Sequence, residues 1–195
     1  MINTHNGVKE KGIPRVNIED YPAIKAHLDT YYSQLAKRAD KGDTPYNLRN
    51  CVYMDDFSKP KIVWKRIGSL LRFCYDTEGT VCLDSTCFAT GKDVAFLTAI
   101  LNSIVGNYLF SYSPKTGTGD LIVSVQAFDP VKVPKLSEKE QTPFIELLNS
   151  ISTAIANGDD YSKFEHELDD MVFDLYHFSE EERKHIEEIV YKQFR

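Results

Sequence analysis

The stretch "DVAFLTAILNSIVGNYLFSY", residues 93–112, constrains this chain more than any other. Leu97, Ile100, Leu101, Ile104, Val105 and Tyr108 recur at helical spacing, and few polar residues occupy the rest of the wheel. A helix that is apolar all round has no face to give to water, so it must be buried. Residues 45–90 supply the surface to bury it. They carry short β-type runs, "NCVYM", "PKIVW", "RFCYD", "TVCLD" and "TCFAT", rich in Val, Ile, Thr and aromatics and separated by turn residues such as "DTEG". The pattern predicts a small, mostly antiparallel sheet with the helix packed against it.

The remaining segments complete an α+β chain. A polar leader precedes "NIEDYPAIKAHLDTYYSQLAKRADKG", which reads as one helix. Asp20 is set to cap it, Pro22 sits in the first turn, Ile24, Leu28, Tyr31 and Leu35 form one stripe, and Gly42 ends it. After residue 112 come a loop, "SPKTGTGD", a β-like run, "LIVSVQAF", and the extended "DPVKVPKL". Three amphipathic helices close the chain. The first carries Phe144, Leu147, Leu148 and Ile151 and stops at "NGD"; the second carries Phe164, Leu168, Met171, Val172 and Leu175. The third opens on a Ser179/Glu182 capping box, with Ile186, Ile189 and Val190 inward. The expected organisation is a leader over 1–19, an α/β domain over 20–136 and packed C-terminal helices over 137–195.

At 195 residues the chain is long enough to bury a sizeable core, and 42% hydrophobic content excludes wholesale disorder. No apolar run approaches the roughly 18 residues that span a bilayer, and the start, "MINTHNGVKEKG", lacks a signal-peptide segment, so a soluble, cytoplasmic chain is expected. The cysteines, at 51, 74, 82 and 87, form no Cys-x-x-Cys pair and read as small hydrophobes in apolar surroundings. Neither they nor the five histidines reach metal-ligand spacing, and no metal is expected in this chain.

Charge is distributed unevenly. The formal net charge is -6, yet residues 37–72 hold nine bases against four acids and residues 138–195 hold six bases against fifteen acids. A basic middle and an acidic end point to a polyanionic partner for one part only; solvated acidic helices are the plainer account of the other.

Motifs for catalysis are missing. The "KTGTGD" loop lacks the spacing of a Walker phosphate loop, and "TGKD" at 90–93 lacks its upstream glycine. There is no Gly-x-Ser-x-Gly elbow and no His-Glu-x-x-His, and the tail carboxylates fall on outward helix faces. What stands out is "KPKIVWKRIGSLLRF" at 59–73, where Lys59, Lys61, Lys65, Arg66 and Arg72 surround one tryptophan with no acid between them. Such residues neutralise phosphates, and arginine also makes bidentate contacts to guanine. Alternation puts Lys61, Val63 and Lys65 on one strand face and Ile62 and Trp64 on the other. Trp64 either stacks on a base or fills the core, the commoner fate of a tryptophan in such a strand. The reading that follows is a strand burying Ile62 and Trp64 and presenting Lys61 and Lys65 to nucleic acid.

The ordered blocks "YPAIKAHL", "LAKRADKGDTPYNLRN", "FSKPKIVWKRI", "FCYDTEG", "CFATG", "LTAILNS" and "ELDDMVFDLYHFSEEERKHIE" resemble the TaqI-like C-terminal specificity domain of type IIG and related restriction-modification enzymes. The resemblance runs from about residue 20 to residue 190. It implies a non-catalytic target-recognition domain that reads a short sequence of double-stranded DNA for an adenine-specific methyltransferase, often fused to a nuclease. The Asn-Pro-Pro-Tyr/Phe motif and the glycine-rich S-adenosylmethionine loop of such methyltransferases are absent. The resemblance therefore implies that base flipping and methyl transfer, with S-adenosylmethionine and, for a nuclease, Mg²⁺, belong to another domain of the polypeptide or to a partner subunit. The expected DNA contacts are Arg49, Lys59, Lys61, Lys65, Arg66 and Arg72, with Lys92, Lys115, Thr116 and Thr118 as a second set on loops. Two other readings stay open: a helical protein-interaction scaffold or docking subunit, and a small free-standing nuclease.

Overall fold

In the computed structural model of the protein, which describes residues 2–194, the chain divides into two compact units, Met1–Met54 and Asp55–Arg195. This border differs from those drawn at 19/20 and 136/137 from composition. Met1 and Arg195, the outermost residues of the expected leader and helical segment, lie outside the described residues.

The first unit is organised by a polar side chain. Asn47, 2% exposed, donates from Nδ2 to the carbonyls of His5 (3.3 Å) and Val16 (3.0 Å) and accepts at Oδ1 from the Thr44 hydroxyl (2.6 Å). Its own carbonyl accepts from Arg38 Nη2 and from the Gly42 amide. Thr4, also buried, donates to Tyr46 O at 2.6 Å, so residues of the expected leader are built into this unit. The single helix expected over 17–42 is two, α1 (Pro22–Asp29) and α2 (Tyr32–Lys37). The Thr30 hydroxyl donates back to His27 O at 2.7 Å, and the Thr30 and Tyr31 amides fall into tighter three-residue bonds, which ends α1. Asp20 belongs to a preceding 3-10 turn, Ile18–Asp20, capped by Asn17; the N-cap of α1 is Tyr21. Every residue of α1 and α2 keeps some exposure, so the expected stripe is at most half-buried.

The second unit carries the sheet. β1 (Lys61–Lys65) lies between β3 (Phe73–Asp76) and β4 (Thr86–Thr90), antiparallel to both, and β2 (Ile67–Gly68) pairs with β5 (Leu121–Ile122). Two expected strands do not form. "NCVYM" is a turn with Val52 96% exposed, and "TVCLD" is a loop with Leu83 77% exposed. In the second of these, Asp76 accepts the Thr80 amide and Leu83 O accepts the Thr86 amide, so local turns use the ends of the run. The cysteines are free thiols and none is fully buried; Cys74 is exposed on β3.

The apolar stretch at 93–112 is α3 (Val94–Asn102) followed by α4 (Ile104–Phe110). Its all-round hydrophobicity has a direct explanation. Val94 and Leu101 join Ile62, Trp64 and Phe73 on the sheet side, while Phe96, Ala99 and Ile100 join Phe144, Leu147 and Leu148 of α5 (Glu138–Asn157) on the other. α3 is thus the middle layer of three. α5 begins at a Ser137/Glu140 capping box and ends at Gly158 in the left-handed region, and α6 (Ser162–Leu175) and α7 (Glu180–Phe194) follow. The Ser179/Glu182 box forms as read, with the Ser179 amide donating to Glu182 at 2.8 Å. Ile186 and Val190 are buried.

Ser103 breaks the stretch, donating to Ile100 O (2.7 Å) and accepting the Gly106 amide (3.1 Å) as the cap of α4. The turn is so tight that a Cβ at Gly106 would run into the carbonyl oxygens of Ile100 and Leu101. Gly106→Ala is expected to cost about 3 kcal/mol or more, because backbone cannot yield as a side chain would, with a matching fall in the urea midpoint. Asp169 of α6 also caps α4, accepting from the Ile104 amide at 2.7 Å. Burial raises its pKa to about 6 from 3.8, against the opposing pull of that amide. A raised carboxyl stabilises the fold fully below about pH 4, and that stability is lost as pH rises through about 6. Asp169→Asn keeps the acceptor without the charge. Between pH 4 and 7 the wild type should lose on the order of 1–2 kcal/mol relative to this variant, after solvent screening of a half-buried group, read from unfolding free energy against pH.

Candidate nucleic-acid interface

The basic stretch divides along β1. In strand register Lys61 stands opposite Asp76 and Thr90, and Lys65 opposite Thr86. At about 3.3 Å per residue the two lysines are roughly 13 Å apart. Lys59 before the strand and Lys92 after β4 therefore lie toward the Lys61 end. Arg66 follows Lys65, and Arg72 precedes Phe73, which pairs with Trp64, so both lie toward the Lys65 end.

Lys61 does not point to solvent, contrary to simple alternation. It is fully buried, with Nζ 2.6 Å from Asp76 Oδ2 and donating to Phe57 O at 2.8 Å. The reason is the 3-10 turn Met54–Ser58, which lies over this face and brings Phe57 to within 4.8 Å of Phe88. A central strand covered on both faces has no exposed row. Asp76 also accepts the amides of Glu78 (2.8 Å) and Thr80 (3.1 Å). Burial alone would raise its pKa, but the ammonium and these amides outweigh it and hold the carboxyl below its usual range. Lys61 is thus a structural cation, removed from the expected DNA contacts. Trp64 is core as well: 4% exposed, it donates from Nε1 to Val123 O at 2.8 Å and packs on Phe128 at 4.8 Å.

The other predicted residues fall into groups. Lys59 is exposed and paired with Asp56 at 2.6 Å, and Lys92 is exposed at the same end. Lys65, Arg66 and Arg72 are exposed at the opposite end, and among the described residues they make no ion pair. The ribbon of β2 and β5 continues from there: the Val123 amide donates to Arg66 O, and exposed Lys115 bridges to Leu121 one strand further out. Ile67 (43%) and Leu70 (49%) are exposed beside these cations, and Asp84 and Asp120 are the carboxylates of this end. Thr116 and Thr118 are less available than expected. Their hydroxyls lie 2.8 Å apart, Thr118 donates to Asp120 Oδ2, and the Thr116 amide donates to Asp120 O, so the loop closes on itself. Arg49 is exposed in the first unit.

Sequence reading overlooked Asn102, whose side chain grips both backbone groups of Phe73 (3.0 and 2.7 Å) beside Arg72. No local pattern marks an asparagine near the end of a buried helix as a partner of a strand 29 residues away.

What the arrangement offers is a basic, partly apolar sheet end fit for a polyanion, with the acids of the Met54–Ser58 turn kept at the other end. Among the described residues no group of three or more His, Cys, Asp or Glu is set to hold a metal, and no helix is long and apolar enough to cross a membrane. Removing one partner of the buried pair strands the other. Lys61→Met is therefore expected to cost about 3–5 kcal/mol, and Lys61→Met combined with Asp76→Leu substantially less, as read by thermal melting of the two variants. The family model of the TaqI-like C-terminal specificity domain matches residues 14–123, more than half of the chain. A comparison of the chain with curated proteins found no match.

Proposed function

The chain belongs to the family of TaqI-like C-terminal specificity domains, which suggests DNA target recognition in restriction-modification, and from that premise we propose that the Lys65 end of its sheet is the surface that meets double-stranded DNA. The single observation that carries this placement is the gathering of Lys65, Arg66, Arg72 and Lys115 at one end, while Lys59 and Lys92 sit toward the other with Asp55, Asp56 and Asp76. Phosphate contacts from these cations supply affinity and register, and side chains reaching base edges supply sequence choice. Specificity domains are typically non-catalytic. In this reading an adenine methyltransferase using S-adenosylmethionine, and a Mg²⁺-dependent nuclease where there is one, are carried elsewhere in the polypeptide or by a partner subunit, and this chain positions DNA for them.

A second, compatible role is docking on that catalytic partner. A cleft of about 640 Å³ between α4 and α7 is lined by apolar Tyr108, Phe178 and Ile186, by Glu181, Glu182 and Glu188, and by Lys184 and His185, a mixed apolar and charged lining with more acid than base that suits a protein surface better than DNA.

Fluorescence anisotropy with mixed-sequence duplex DNA at several salt concentrations tests the main reading. Log affinity should fall linearly with log salt, with a slope of about 0.9 per phosphate neutralised. Lys65→Ala with Arg66→Ala should weaken binding and reduce that slope by close to 2, whereas Lys59→Ala with Lys92→Ala should leave both unchanged. The reverse result would move the footprint to the Lys61 end.

A further inference from the structure

The cations at the basic end are held in two different ways. Lys65 and Arg66 continue from β1 and Lys115 flanks β5, held by strand-type backbone pairing alone: Lys65 opposite Thr86, Arg66 N to Ser85 O, Lys115 bridged to Leu121. Arg72 is fixed much more closely. The residues on either side of it, Leu71 and Phe73, are each only 4% exposed. Phe73 is further clamped by Asn102 of α3, whose Oδ1 accepts the Phe73 amide at 3.0 Å and whose Nδ2 donates to the Phe73 carbonyl at 2.7 Å. The same Nδ2 donates to Thr98 O at 3.1 Å, tying the clamp to its own helix. The guanidinium is steered too, since Arg72 Nη1 donates to Leu71 O at 2.9 Å while the side chain stays exposed. Leu70, 49% exposed, adds an apolar group beside it.

This difference has a chemical meaning. Neutralising a phosphate needs a positive charge within reach and tolerates a mobile stem. Reading a base edge needs a planar fork held within about 0.5 Å and 10–20° of its mark. Fixing the group before binding also removes much of the ordering cost. Resting on the DNA-recognition reading above, we infer that Arg72 reads a base in the major groove, with guanine N7 and O6 as the acceptors its fork fits, that Asn102 is its positioning residue, and that Lys65, Arg66 and Lys115 neutralise phosphates. Of the cations at this end, only Arg72 has buried neighbours on both sides and a side-chain clamp on the adjoining backbone.

The test begins with selection of a preferred duplex from a randomised library by the full chain, followed by affinities for every single-base-pair variant of that duplex. Arg72→Ala should lose about 5- to 150-fold of discrimination at one G·C pair and leave the others as they were. Arg72→Lys keeps the charge, so it should retain the salt slope while losing the same discrimination. Asn102→Ala, assayed well below its melting temperature, should lose selectivity at that same pair, a readout that mere loss of stability does not move. Lys65→Ala should instead weaken all duplexes alike. Uniform weakening by Arg72→Ala with a reduced salt slope would make Arg72 a phosphate contact and overturn the inference while DNA recognition stands. A library that yields no preferred sequence would overturn it with DNA binding intact. A wild-type chain that binds no duplex at low salt would take down both readings together.

Discussion

β1 has a paired strand on each edge and packed groups on each face, and the rest of the second unit is arranged around that enclosure. Ile62 and Trp64 fill the helix side, and Phe57 covers the first residues of the other side. A lysine in such a place is tolerated because Asp76 stands directly opposite it across the ladder and the Phe57 carbonyl accepts a hydrogen bond from the ammonium. The pair does more than neutralise itself. A one-residue slip of β3 would turn Asp76 to the wrong face and leave Lys61 alone in the core. With total folding stabilities near 5–15 kcal/mol, a penalty of several kcal/mol for an unpaired buried charge is enough to fix the register. Register then decides which side chains arrive at which end of the sheet.

That placement governs the electrostatics. Asp55, Asp56 and Asp76 gather where β1 begins, and Lys65, Arg66 and Arg72 where it ends and where β3 starts. A strand of five residues separates the two ends by roughly 13 Å, more than the Debye length of about 8 Å at physiological ionic strength. The acids at one end therefore do little to weaken the field at the other. The net charge of -6 describes neither, because most of the acid excess lies on the helices after residue 137. A chain that is acidic on average still offers a cationic surface.

The burial of the apolar stretch at 93–112 against the sheet was legible, since a helix with no polar face has to be covered; that α5 covers its other side was not. The capping box at Ser179 and the inward residues of the last three helices follow from periodicity and local hydrogen bonding, which short windows contain. Windows fail where a distant group decides, or where a nearby side chain takes a backbone group that the regular pattern would have used. Alternation assigned Lys61 to solvent because nothing near it in sequence reveals that the Met54–Ser58 turn folds over that face. "TVCLD" has strand composition, yet Asp76 takes the Thr80 amide first. Thr30 ends α1 through a hydroxyl bond that propensity ranks as neutral. In the first unit the organising element is Asn47, whose long-range bonds reach 31 and 42 residues back along the chain. Of the candidate interface, the exposure of Lys65, Arg66 and Arg72 was legible; the burial of Lys61 and the division of the cations between two ends of the sheet were not.

Three consecutive residues at the end of α3 connect that position to the core. Asn102 holds Phe73 and through it the approach to β3; Ser103 caps α4; the Ile104 amide is taken by Asp169 of α6. The strand bearing Arg72 and the C-terminal helices are thus tied to one junction, with Gly106 allowing the close approach that makes it possible. All of these bonds lie behind the basic end and none uses the side chains at 65, 66, 70 or 72. Those side chains are exposed and can be exchanged without opening a cavity, whereas the backbone beneath them is fixed by burial. The scaffold determines where an exposed group is presented and leaves open which group it is.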